Sequence, residues 1–288
     1  MITLSKALGD ARRQHLATGH FNVSDLVALK AVTEAARELK VPVIVGTSEG
    51  EREFFGVRDV AAMVASLRER LDLPIFLNAD HTHSLEGAVE AATAGYDMIG
   101  FDASTNPLET NINLTKQAVD AVKSVNLQII VEGELGNIGS GSEIHDTVPE
   151  SSRILTTSED AKRFAEATRV DVLAPAVGNM HGLLKTMISG SVKKRLDIGR
   201  VSEIATATGL PLTLHGGSGT DDDDFRRAIS AGVTIVHINT EMRLAWRRGL
   251  EAALAESSDE VVPYKIYSRP LKEMETVAIN RLRLFNGR

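Results

Sequence analysis

Short runs of apolar, β-branched residues alternate along the chain with segments whose apolar positions recur at helical spacing. The runs are HFNVS (20–24), VPVIVGTS (41–48), LPIFLNAD (73–80), MIGFDA (98–103), QIIVEGEL (128–135), VLAPAVG (172–178), LPLTLHG (210–216) and VTIVHIN (233–239). Their length suits buried strands rather than helices. Between them, segments such as DLVALKAVTEAARELK, RDVAAMVASLRERL and DIGRVSEIATATG carry apolar residues at i, i+3 and i+4 with polar faces between. Ser84 to Gly95 and Asp197 to Gly209 are each bracketed by a capping residue and a terminating glycine. Strands that alternate with helices pair in parallel. Eight such units in about 250 residues are the count for an α/β fold of the closed (β/α)8 type, a TIM barrel. An open doubly wound sheet is the competing arrangement, and it would gather its ligand at one crevice. Candidate functional residues here follow nearly every strand, which favours the barrel.

No linker rich in Pro, Gly or Ser divides the chain, so residues 1–288 read as a single domain. The segment PLKEMETVAINRLRLF, after Pro263, reads as an extra C-terminal helix packing on the barrel or on a second subunit. Two long irregular stretches, 136–157 and 179–196, have the length of lids or binding segments.

Composition narrows the class. Hydrophobic residues at 43% and charged residues at 25% are ordinary for a soluble globular protein. Aromatics are only 4%, so Ala, Val, Leu and Ile must fill the core, which suits close packing of helices on strands. A net charge of −7, with no basic stripe, speaks against nucleic acid. The absence of cysteine excludes disulfides and thiolate metal sites and fits a reducing cytoplasm. The N-terminal MITLSKALGDARRQHLATGH has no apolar signal core, and no run of ~18 apolar residues occurs, so a cytoplasmic protein without membrane contact is expected.

Three histidines stand where strand-like runs stop: His81 after PIFLNAD, His181 after VLAPAVGNM and His215 after LPLTL. In a parallel barrel all three imidazoles emerge at one end, where they can hold a divalent ion with a position open for substrate. Asp80 beside His81 adds a carboxylate for acid–base work, although an N-cap role for the helix starting near Ser84 is its other reading. His83 reads as a loop histidine. Asp102 follows the fourth strand, and Glu132 and Glu134 share a face of the fifth. Buried carboxylates need cations or hydrogen bonds, which favours a metal or substrate role for Glu134 and Asp102. For Glu132 a buried ion pair is an equal alternative. After the seventh strand, His215-Gly216-Gly217-Ser218-Gly219-Thr220 precedes a helix, and small residues there let backbone N–H groups approach a phosphate. The run Asp221 to Asp224 reads as a solvated helix start.

The ordered set Asp80-His81, Glu134-Leu135-Gly136, His181-Gly182, His215-Gly216-Gly217-Ser218-Gly219 and INTE resembles the class II, metal-dependent ketose-bisphosphate aldolases, which include the fructose- and tagatose-1,6-bisphosphate enzymes. The resemblance runs from FNVSDL and VIVGTSEG to NTEMRLAW. It implies a zinc ion on His81, His181 and His215, and a second or alternative metal position involving Asp102 and Glu134. It implies that Asp80 protonates the aldehyde oxygen during carbon–carbon bond formation. It also implies contacts to dihydroxyacetone phosphate from Ser48, Gly182, Gly216, Gly217, Ser218, His237, Ile238, Asn239 and Thr240. The expected partners are a phosphorylated sugar and further copies of the chain, as a homodimer or homotetramer.

Two departures from the family pattern stand out. The loop after ELG usually carries Gly-Gly-x-Glu, whose glutamate abstracts a proton; this chain reads Gly139-Ser140-Gly141-Ser142-Glu143. Ser142 stands at the expected position, and Glu143, one residue on, is the candidate base. His237 replaces an asparagine that helps hold the enediolate in relatives. It is expected to be neutral and to donate to a substrate oxygen rather than ligate metal, or else to pack in the barrel mouth. The leading expectation is a glycolysis-type lyase cleaving a ketose 1,6-bisphosphate into dihydroxyacetone phosphate and glyceraldehyde 3-phosphate. The alternatives are an aldolase for another phosphorylated ketose and a sugar-binding barrel with lost or altered turnover. An amidohydrolase would place its paired histidines after the first strand, an arrangement missing here.

Overall fold

The computed structural model describes residues 2–139, 141, 143–147, 154–190 and 192–288. In chain order the strands are β1 (Thr18–Asn22), β2 (Val43–Thr47), β3 (Ile75–Thr82), β4 (Met98–Phe101), β5 (Ile130–Leu135), β6 (Ile144–His145), β7 (Val172–Pro175), β8 (Leu183–Leu184), β9 (Leu212–Leu214) and β10 (Val233–Ile238). All but β6 and β8 close into a parallel barrel in which β10 returns to pair with β1. The helices before strand β5 are α1 (Leu4–Arg13), α2 (Leu26–Leu39), α3 (Glu49–Phe55), α4 (Val57–Leu71), α5 (Leu85–Ala94) and α6 (Leu108–Val125). After it come α7 (Ser158–Thr168), α8 (Lys185–Ile188), α9 (Ile198–Thr208), α10 (Asp222–Ala231), α11 (Thr240–Glu256), α12 (Pro263–Ile266) and α13 (Ser268–Phe285). All eight barrel strands are those expected from the sequence, with the first beginning two residues earlier, at Thr18.

Local chemistry sets the ends of these helices. Ser84 accepts from the Gly87 N–H and Asp197 from the Arg200 N–H, while Gly95 and Gly209 end their helices with φ of +97° and +66°. The cap of α5 is therefore Ser84, which frees Asp80 for other work. Not all of the acidic run is solvated: Asp224 is buried and accepts from the Leu196 N–H and from Arg195. That is a correction to the sequence reading, and its cause is the loop before α9 folding back onto α10.

Strand side chains alternate between two cores. Val43, Val45, Ile75, Leu77, Ile99, Val131 and Leu173 face the helices. Ile44, Phe76, Met98, Ile130, Val172 and Ile235 point into the barrel, where Leu4, Ala7 and Leu8 of α1 close its lower end. One layer higher the interior turns polar, with His20, Asn78, Glu132 and Thr213 buried. Gly46 makes room there, because a Cβ on it would collide with the His20 ring. Helix α13 packs on α11, α2 and β1, and Leu282 fills the space beside Gly19. The extra C-terminal helix thus belongs to the barrel wall.

Strand β6 pairs with β8, joining the two irregular stretches seen in the sequence. No helix among the described residues is long and apolar enough to cross a membrane.

Candidate metal centre and active site

Strand β3 delivers two consecutive side chains to the barrel mouth. Regular alternation would send Asp80 and His81 to opposite faces, but the β3–β4 register shifts between Ala79 and Thr82 and His81 has a φ of +46°. A bulge of this kind re-aims a side chain at the cost of local backbone strain. His81 thereby joins His181 and His215, with one ligand atom from each lying within 4.8 Å of the others. His81, Asp102 and Glu134 form a second such group around the same ring.

Neighbouring groups fix the ring orientations. His215 Nε2 lies 2.7 Å from Glu132 Oε1, and the Thr213 hydroxyl also donates to that carboxylate. This arrangement holds the proton on Nε2 and leaves His215 Nδ1 as the unpartnered nitrogen. Glu132 is thus an orienting group beneath the metal ligands. His81 Nδ1 lies 2.9 Å from Glu134 Oε1 and 3.4 Å from Asp102 Oδ2.

Buried polar atoms are normally hydrogen-bonded. Here His181 Nε2, His215 Nδ1 and Asp80 Oδ1 are buried at one place without hydrogen-bond partners. Burial disfavours a charge on His81, yet Glu134 and Asp80 outweigh it and raise its pKa well above the ordinary range. Burial likewise opposes charge on His215, and Glu134 with Glu132 reverse this, pushing it up to about 9. Burial leaves His181 well below its usual value. Glu134 is raised by burial and by Asp102. Protons drawn onto ring nitrogens among carboxylates mark a place that a divalent cation fits. Three imidazoles flanked by carboxylate oxygens, with no thiolate, suit zinc or a similar borderline ion.

Asp80 sits at the edge of this cluster. Its Oδ2 accepts from Asn22 Nδ2 at 2.9 Å, and its Oδ1 lies 3.5 Å from His237 Nδ1 and 4.0 Å from His81 Nε2. Burial would raise its pKa, but the imidazoles around it, His81 foremost, hold it well below the usual carboxylate range. His237 is stacked between His20, at 3.4 Å between parallel rings, and His215, at 3.9 Å. Burial pushes the pKa of His237 well down and that of His20 to about 4, which favours neutral rings.

A cleft of about 710 Å³ opens above these groups. Ser48, Asp80, His81, Asp102, Glu143, His181, Gly182, Gly216, Ser218, His237, Asn239 and Thr240 line it, while Glu134 and His215 lie buried beneath. Gly217 presents backbone only, its N–H donating to the His237 carbonyl. Alternation along β10 turns the Ile238 side chain away from His237 into the core between barrel and helices, which leaves its backbone as the part that can face the cleft. Glu143 is exposed on the loop beside β6, and Ser142 lies outside the described residues. His83 is an exposed residue of the loop after β3 that lies between Asp102 and Glu49, and Asp102 first, then Glu49, lift its pKa to about 9.

Comparison with known proteins decides what this arrangement belongs to. Residues 2–288 match the family described as fructose-bisphosphate aldolase class-II. The chain belongs to that family. Its members are carbon–carbon lyases that depend on a metal ion, in keeping with the buried histidine cluster. The chain is 32% identical to the probable fructose-bisphosphate aldolase of Bacillus subtilis over 290 residues, covering all of this chain and 98% of the relative. It is equally 32% identical to the fructose-bisphosphate aldolase of Geobacillus stearothermophilus, covering 97% of that protein. Among solved structures, the YdjI aldolase of Escherichia coli K12 superposes with a TM-score of 0.83 at 31% identity, across 99% of this chain and 97% of that one.

Several residues of this aldolase site escaped the sequence reading. Asn22 and Glu51 are buried and hydrogen-bonded to each other, and Arg243 reaches Glu51 at 2.7 Å. Asparagine at the end of the first strand was the one signal available for Asn22. Lys194 gave no signal at all. It lies in an irregular segment, yet it is buried with its ammonium among backbone carbonyls.

Proposed function

We propose that this chain cleaves a ketose 1,6-bisphosphate, fructose or tagatose, reversibly into dihydroxyacetone phosphate and glyceraldehyde 3-phosphate. The observation that carries the reading is Asp80 standing at the rim of the three-imidazole cluster, in the same cleft as the Gly216–Ser218 turn. His81, His181 and His215 are the proposed zinc ligands, with Asp102 and Glu134 offering a second or alternative position. A divalent ion held there would supply Lewis acidity to the substrate.

The side chains do the rest. Asn22 occupies Asp80 Oδ2, which leaves Oδ1 as the proton-accepting atom. In the cleavage direction Oδ1 takes the proton of the C4 hydroxyl, the C3–C4 bond breaks, and its electron pair moves toward the C2 carbonyl. Glu143, carried on the loop beside β6, returns a proton to C3. Neutral His237 donates a hydrogen bond to a substrate oxygen. Backbone N–H groups of Gly182, Gly216 and Ser218, with Gly217 leaving room for close approach and Asn239 and Thr240 at the N-terminus of α11, receive the phosphate of the three-carbon fragment. Ser48 lines the same cleft. The chain is proposed to work as one domain in a homodimer or homotetramer.

An aldolase for a different phosphorylated ketose is the second reading, favoured by His237, whose ring lies against Asp80. Zinc-loaded protein assayed for triose phosphate release over fructose, tagatose and other phosphorylated ketoses tests both. Release from a bisphosphate that stops on chelation is expected. Release from another ketose alone selects the second reading, and no release from any of them overturns both.

A further inference from the structure

Lys194 is 4% exposed, and its ammonium donates to the carbonyls of Met180 at 2.7 Å, Gly182 at 2.7 Å and Gly216 at 2.9 Å. These three bonds exhaust its donors. They satisfy its hydrogen bonding, but carbonyls carry no net charge to balance it. Burial pushes its pKa down to about 7, and the carboxylate that opposes this, Glu241, is already held by Arg281 through two contacts of 2.8 Å. A buried ammonium without a committed counter-ion is costly unless something else repays it. Gly182 and Gly216, two of its three partners, line the cleft where a phosphate is proposed to sit.

The same bonds have a mechanical result. A peptide unit is planar, so a carbonyl turned toward Lys194 turns the following N–H the opposite way. Those N–H groups are donors to other parts of the site: His181 to the Ile138 carbonyl, Leu183 to the Glu143 carbonyl and Gly217 to the His237 carbonyl. One ammonium thus aligns the loops that carry His181, His215 and Glu143 and the end of β10. Its own backbone is clipped to the glycine turn, Lys194 N–H donating to Gly219 and Asp221 N–H to Lys194.

We propose that Lys194 is a tethered cation that orders the phosphate end of the cleft and supplies the positive charge that retains a phosphate there. The proposal rests on the phosphorylated-substrate reading above and makes Lys194 a positioning residue. Metal-loaded Lys194→Met and Lys194→Ala, with exposed Lys193→Met as control, are titrated with inorganic phosphate by calorimetry. Wild type and control should bind alike, and Lys194→Met on the order of 10-fold more weakly at unchanged metal content. Ammonium chloride should restore binding to Lys194→Ala saturably, whereas tetramethylammonium chloride at equal ionic strength should not. A packing role alone would give no such cation selectivity.

Phosphate affinity unchanged in the variants, or indifferent to ammonium, overturns the proposal and leaves the aldolase reading intact. Wild-type protein that turns over no phosphorylated ketose, yet binds phosphate through Lys194, overturns the functional reading and leaves this one. Should the variants not fold, ¹⁵N-lysine spectra of the wild type decide: the Lys194 resonance must shift on adding phosphate, and one that does not shift overturns the proposal.

Discussion

Asp80 is fixed by atoms rather than by a helix cap, since Asn22 holds one oxygen and Ser84 caps α5. Asp80→Ala is therefore expected to slow carbon–carbon cleavage by ~10²–10⁴-fold, the usual worth of a general acid–base group, with metal content retained. Steady-state rates beside elemental analysis check this; normal turnover with lowered stability would contradict it. Glu132, which pins the His215 ring through Nε2, should matter for metal retention rather than for proton transfer. Glu132→Gln is expected to weaken metal affinity ~10–100-fold, read by competition with a chelator. Gly46 is the partner of the His20 ring, so Gly46→Ala should cost ~1–3 kcal/mol in thermal or denaturant unfolding.

At the scale of elements, the bulge in β3 and the short β6–β8 sheet do what regular strands cannot. The bulge brings Asp80 and His81 to one side, and the sheet clips the Glu143 loop beside the His181 loop. Glu143→Gln should accordingly slow proton exchange at C3 of dihydroxyacetone phosphate far more than Ser142→Ala, measured by deuterium washout. Equal, small effects would point to another base. The eight barrel strands were legible because strands buried on both faces read as continuous apolar runs. The first was misplaced by two residues, since Thr18 and Gly19 owe their extended form to pairing with Ile235 and Val236. Helix α1 was not legible, because its burial depends on the hole it plugs. Pairs of two residues, such as β6 with β8, carry no periodic signal. Histidines at strand ends announced the centre; Lys194, Asn22 and the buried His20 did not, because only the closed barrel tells what they touch.

The whole molecule is graded along the barrel axis, from an apolar lower layer through a polar middle to a reactive upper rim. The buried, unpartnered imidazole nitrogens and the Asp80 oxygen lie at that rim, so occupancy by a divalent ion should stabilise the entire fold. At free metal about 100-fold above its Kd, the gain is ~2.7 kcal/mol, and chelation should lower the calorimetric melting temperature accordingly. A melting temperature indifferent to chelator and to added zinc would count against the centre. With Leu4, Ala7 and Leu8 stopping the other end, the site is, among the described residues, a cul-de-sac with one doorway. Traffic through a cul-de-sac is last in, first out: the two fragments of a cleaved sugar cannot leave by separate routes, and the one seated deeper must wait. Product inhibition should therefore show an ordered departure, with the outer fragment gone before the inner one can move.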